Sequence, residues 1–391
     1  MILSNSIKAD QPLITQWRRT LHQMPELCYQ EVKTSAFVEK TLKEIGVDEV
    51  HAGLGKTGLV AVIRGKNPDT KAIGLRADMD GLPITEVQDH EHKSQHAGQM
   101  HACGHDGHTA MLLGAAKHLS ETRNFEGTVY LIFQPAEEGG AGAKAMMRDG
   151  LFDRFPMDEV YGMHNLPGLP LGQFALRPGG IMACPDGFDI EILGQGGHAA
   201  LPHQSLDPIY IGSLIIQALQ GLISREMDPL GQAVLSVTQF HAGNTHNVIP
   251  DSAKIGGTIR TLDADIRTRM ETRLHDVACG IATAYGAQAT VNYYRSYPVT
   301  VNHGDQTGFA AQAASAIVGA DQVDQACDPL MGGEDFAYML EEKPGAYIFI
   351  GNGDTAGLHH PEYDFNDAAL PLGVAYWAQL VESRLQRFQV D

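Results

Sequence analysis

The sequence predicts an α/β protein, a mainly parallel, helix-covered sheet interrupted by an inserted α+β domain. Three observations carry this. Short apolar runs ending in polar residues alternate with amphipathic helical stretches, as buried parallel strands do. Between about 184 and 297 the order changes to β-α-β-β-α-β, the ferredoxin-like pattern. The chain then returns to the helix-and-strand rhythm of its first half. The expected layout is therefore a discontinuous domain, 1–183 and 298–391, around an insert, 184–297.

Taken in order, residues 12–46 carry helical periodicity, and "GLVAVIR" (58–64) reads as a strand. "KAIGLRAD" is a short apolar run that ends in charge at Asp78. A helix is expected over 109–119, followed by the strand of "GTVYLIFQPAEE", which runs into Glu137 and Glu138. "EVYGMHN" delivers His164 in the same way. In the insert, "DGFDIEILGQG" is a strand, 206–226 a helix, and "QAVLSVTQFHAG" and "SAKIGGTIRTL" are strands. A long helix over 263–286 and a strand in "AQATVNYYRSY" close it. "QTGFAAQAASAIVG" is helical, and the buried strand "AYIFIGNG" leads to His359 and His360.

Composition narrows the function. Apolar residues make up 43% and charged residues 19%, the mix of a packed globular protein. With 28 basic against 47 acidic residues the formal charge is −19, and no basic stripe offers phosphate neutralisation. Nucleic acid is not an expected partner. No run reaches ~18 apolar residues, so no membrane span is expected. The N-terminal stretch lacks the charged-then-apolar order of a secretory signal, and five scattered cysteines form no disulfide framework. A cytoplasmic protein is the expectation.

The chemistry concentrates in "MHACGHDGHTA" (100–110). In open α/β sheets ligands gather beyond the carboxyl ends of the strands. Separate loops should bring Asp78, Cys103, His105, Asp106, Glu137, Glu138, His164, His359 and His360 to one such edge. Cys103, His105, His164 and His359 with one glutamate exceed the three protein ligands of a single catalytic metal. The surplus suggests two metals, able to hold a hydroxide at neutral pH and polarise a carbonyl. The "EE" pair suits one carboxylate on metal and its neighbour free as general base.

The motifs "RADMDGLP", "MHACGHDGHTAMLLGAA", "FQPAEEGGAGAKAMMRDG", "GMHN", "GGHAALPH", "NVIPDSAKIGGTIRT", "MGGEDF" and "LHHPEYDFND" run through nearly the whole chain. Together they resemble the M20 family of metallopeptidases, specifically its amidohydrolase branch. The resemblance implies a two-metal hydrolase of N-acyl-L-amino acids, with manganese or zinc, or cobalt or nickel, at the site. Its ligands would be Cys103, His105, Glu138, His164 and His359, and its general base Glu137. Cys103 is favoured as the bridge, although the sequence does not fix it. Asp78 would orient a ligand from behind. The insert would be a dimerisation domain and lid in a homodimer or higher homo-oligomer. Its His198 would stabilise the oxyanion in a partner subunit's site, and Asn247 and Arg260 would hold the substrate carboxylate. "LHHP" departs from the usual pattern by placing a second histidine at 360, with His359 favoured as the ligand.

The plainer readings stand beside these. His90, His92 and His96 read as solvated loop residues, and His101 and His108 as structural neighbours of the cluster. Cys103 could be a nucleophile, but a Cys–His hydrolase has no use for the glutamate pair. "GLGKTG" lacks the glycine spacing of a phosphate-binding loop, since Val50 stands where one is required. A dipeptidase or carboxypeptidase is the alternative activity on the same scaffold, and a catalytically silent binder the alternative class.

Overall fold

A computed structural model describes residues 3–386. The chain divides into two compact units, residues 1–181, 301–328 and 335–391 forming the first, and 182–300 with 329–334 the second. The short return 329–334 was not anticipated from sequence.

The first unit holds an eight-stranded sheet. From edge to edge its strands are Glu49–Leu54, Gly58–Arg64, Thr128–Gln134, Ala72–Asp78, Glu159–Pro167, Gly345–Gly353, Phe174–Ala175 and Val323–Asp324. The four central strands, from Thr128–Gln134 to Gly345–Gly353, are mutually parallel. The first two strands and the Phe174–Ala175 strand join antiparallel. Every residue of Ala72–Asp78 is buried, which explains an apolar run with no alternation. The helix His105–Thr122 packs against that strand and against the helices Asn5–Gln23 and Leu370–Arg384. It begins four residues earlier than the sequence suggested, at His105 itself. The N-terminal periodicity likewise resolves into two helices, Asn5–Gln23 and Val32–Ile45. Pro25 disfavours helical backbone at Met24 and separates them.

The second unit is a four-stranded antiparallel sheet in the order Ala233–Ala242, Ser252–Thr261, Cys184–Leu193, Gln288–Tyr294. With the helices Pro208–Gly221 and Ala264–Ala284 it gives β-α-β-β-α-β in chain order. Burial alternates along Cys184–Leu193, as expected of a sheet with one face covered. Asp207 and Asp263 cap the two helices, each accepting from two backbone N–H groups. Among the described residues no helix is long and apolar enough to cross a membrane.

Candidate metal centre and active site

At the carboxyl ends of the central strands the first unit collects thiol, imidazole and carboxylate donors. Cys103 Sγ lies 3.4 Å from His164 Nε2. Glu138 Oε1 lies 3.0 Å from His359 Nε2. Donor atoms of Cys103, Glu138 and His359 fall within 4.8 Å of one another, as do those of His105, Glu137 and Glu138, and those of Asp78, His105, His108 and His164. His360 turns away, its Nδ1 accepting from the Glu362 N–H.

Three buried imidazoles are oriented from behind. His105 Nδ1 is 3.1 Å from Asp80 Oδ1, while its buried Nε2 faces Asp78 Oδ2 at 3.6 Å and has no hydrogen-bond partner among the described residues. His164 Nδ1 donates to the Asn165 carbonyl at 2.7 Å, so its Nε2 lone pair faces Cys103. His108 accepts the Asn165 N–H at Nε2 and therefore donates from Nδ1 to Asp78 at 2.6 Å. Ligating histidines hold their other N–H on a carboxylate or carbonyl in this way. Asp80 also accepts the Glu138 N–H at 3.0 Å, and Asn165 bridges the Cys103 carbonyl to Tyr363. Buried Arg76 ties Asp78 to Gln134 and Asp335. Asp80, Asn165 and Asp335 were not singled out from sequence. Asp80, two residues beyond Asp78 in "RADMD", was the available signal.

The local backbone is strained where these groups converge. Ala136 and Ala141, flanking the Glu137–Gly140 turn, have φ of 53° and 54°, and His359 has φ of 62°. Left-handed backbone costs a non-glycine residue roughly 1–2 kcal/mol, and such strain persists where the surroundings impose it. Gly104 also has positive φ, 91°, and a Cβ there would collide with Asn165 and Tyr363.

Burial first, then the charges of Glu138, Glu137 and Asp78, pushes the Cys103 thiol well above its ordinary range. Burial opposes charge on His105, but Asp78 and Asp80 outweigh it and raise the imidazole to about 10. Burial, with His108 beside it, holds His164 well down. A buried thiol, an orphaned imidazole nitrogen and a converging set of carboxylates suit divalent cations of borderline softness.

In the second unit, His198 and Asn247 are exposed neighbours. The His198 strand pairs with Val248, and Asn247 O accepts the Ala199 N–H. Both stand beside the Ser252 end of the strand Ser252–Thr261, whereas Arg260 lies at its other end. Eight residues of strand put Arg260 roughly 26 Å from Ser252. One copy of this unit therefore does not gather all three around one small ligand. Arg260 Nη1 bonds to the Ile259 carbonyl and to Thr258, while among the described residues Nε and Nη2 have no partner.

A mainly parallel sheet with these donors at its carboxyl edge defines a metal-binding α/β hydrolase. Residues 74–383 match Peptidase family M20/M25/M40, and the chain belongs to that family, in its amidohydrolase branch, as an enzyme acting on amide bonds. Hippurate hydrolase of Campylobacter jejuni is 44% identical over 93% of this chain and 94% of its own. Thermostable carboxypeptidase 2 of Saccharolobus solfataricus is 41% identical over 92% and 91%. Among solved structures, the Bacillus subtilis YXEP protein, described as a dinuclear metal binding peptidase from the M20 family, superposes with a TM-score of 0.86 at 36% identity. That match covers 97% of this chain and 99% of the other.

Proposed function

We propose that this enzyme hydrolyses N-acyl-L-amino acids to a carboxylic acid and a free amino acid, using two divalent cations, manganese or zinc, per subunit. The observation that carries the reading is the convergence of buried Cys103 and His164 with Glu138 and the exposed His359, with His105 and Glu137 beside them. The five described cysteines are unpaired, in keeping with a cytoplasmic setting.

Cys103, His105, Glu138, His164 and His359 would hold the cations. Bound there, the cations supply a polarised scissile carbonyl and a water acidified toward neutral pH. Glu137, 7% exposed, accepts that water's proton and returns it to the leaving amine. The Asp335 N–H, 3.4 Å from Glu137 Oε1, helps to hold the carboxylate. Asp78 and Asp80 fix the imidazoles. Asn247 and Arg260 receive the substrate carboxylate, and His198 donates to the developing oxyanion. Their separation within one inserted unit supports a homodimer in which His198 serves the partner's site and the insert acts as lid.

The relationship to hippurate hydrolase supports an N-acyl substrate; that to a carboxypeptidase favours the second reading, cleavage of peptides. The test is hydrolysis of N-benzoyl- and N-acetyl-amino acids beside unblocked dipeptides, with and without chelator and with each metal restored. Chelator-sensitive turnover of the blocked substrates is expected. Preference for free dipeptides would replace the reading with the second one.

A further inference from the structure

We infer that the first unit contains a separate binding site for a divalent cation of the zinc class, formed by His22, Glu86 and His90. Histidines 90 and 92, expected in a solvated loop, instead belong to a packed cluster in which His92 is 6% exposed. The cluster joins the last turn of the helix Asn5–Gln23, the segment after Ala72–Asp78, and Asp364. Ligand atoms of His22, Glu86 and His90 fall within 4.8 Å of one another.

His22 Nδ1 is 2.8 Å from Asp106 Oδ2, and its Nε2 is 3.2 Å from Glu86 Oε1. A neutral imidazole has one N–H, so it satisfies only one of these carboxylates. With that hydrogen given to Asp106, the Nε2 lone pair faces a carboxylate oxygen, and a positive charge is needed between them. His90 approaches the same carboxylate from one nitrogen only, its other nitrogen lying beyond hydrogen-bond reach of Asp364. Its Nε2 is 2.6 Å from the same Oε1, and its Nδ1 is 3.8 Å from Asp364 Oδ2. One extra proton, on His22, would satisfy both rings; so would one divalent cation on the shared oxygen.

Three features favour the cation. The carboxylate–histidine pair Asp106–His22 is the support that a ligating imidazole ordinarily has. Glu86 is held from behind as well, its Oε2 accepting the Ser94 N–H at 2.7 Å. Two imidazoles and a carboxylate with an open fourth position form a common zinc donor set. Charge agrees. Asp106, Glu86, Asp364 and Asp367 lie in this cluster with Arg18, which pairs with Asp106, Asp364 and Asp367, and Asp367 also pairs with Arg19. The His90 side chain is 20% exposed and gives the ion a way in. The 2.6 Å approach of His90 is that of a direct hydrogen bond, so this ring moves outward as the ion enters. An ion here would tie the first helix to Asp106, the residue after His105.

The test uses the full-length protein equilibrated with zinc chloride and desalted. Metal analysis should show about one equivalent less zinc per chain in His90→Asn than in wild type, while His90→Cys, which keeps a zinc ligand, should retain it. Glu86→Gln gives a second variant should His90→Asn fold poorly. Zinc-edge anomalous diffraction from wild-type crystals should place a peak between His22 Nε2, Glu86 Oε1 and His90 Nε2. Equal zinc in wild type and both deletion variants, or no anomalous peak among these atoms, overturns the site. Because the readout is metal content at named atoms, it is independent of which substrate the enzyme cleaves.

Discussion

In the first unit Cys103 and His164 are each 7% exposed and His105 is fully buried, whereas His198 and Asn247 in the inserted unit stand in solvent. The buried set is oriented by its own chain: Asp80, Asn165 and Asp78 each fix a ring or a backbone group before any ligand arrives. The exposed set has little holding it; the His198 side chain accepts one nearby backbone N–H, from Ala200. Groups that must bind cations in a fixed geometry gain from burial, since low dielectric strengthens each contact. Groups that act on a substrate arriving from outside, or in another subunit, must stay accessible.

The largest expected effect breaks the buried side of this comparison. Glu137→Gln should lower kcat by roughly 10²–10⁴-fold with metal content unchanged; full activity in that variant would remove Glu137 as the base. Next comes the exposed side. His198→Ala should lower kcat by about 10²–10³-fold without altering metal content or folding. Mixing it with Glu137→Gln sharpens the contrast. If His198 serves a partner, mixed dimers regain one complete site, and about a quarter of wild-type activity should return. No recovery after subunit exchange would assign His198 to its own subunit.

Asp80→Asn should be milder, weakening metal affinity by about 10–100-fold because His105 and the Glu138 backbone lose their anchor. Equilibrium dialysis of metal measures this, and unchanged affinity would make Asp80 a bystander. The smallest effect concerns stability. Burial works against ionised Glu159, but hydrogen bonds from Arg384, Lys71 and Tyr161 outweigh it and hold the carboxyl at about 2. Its folded value is depressed, so its contribution is complete above the ordinary value near 4.5 and is lost as pH falls toward 2. Acid-unfolding curves of Glu159→Gln should be flatter than wild type over that window. The partly exposed Arg273–Glu226 pair of the inserted unit should matter less, so Glu226→Gln should leave the melting temperature nearly unmoved.

Much of the fold was legible because periodicity is local. Unbroken apolar runs marked the central strands, and the β-α-β-β-α-β order marked the insert. The N-terminal stretch misled because helical spacing continued across the break at Pro25. His92 misled in a different way: a polar loop reads as solvated until Arg18 and Asp364, 74 residues before it and 272 after it, close over the ring.

By itself the sequence determined which side chains were able to serve: the thiol, the imidazoles, the glutamate pair and their order along the strands. Only the tertiary structure decided what each nitrogen faces. That depends on contacts such as Asp80 with His105 and Asp106 with His22, whose partners are distant in sequence and meet only when strands and helices pack. A residue's type fixes its donors and acceptors, but its protonation and its ligand are set by neighbours that local sequence does not name.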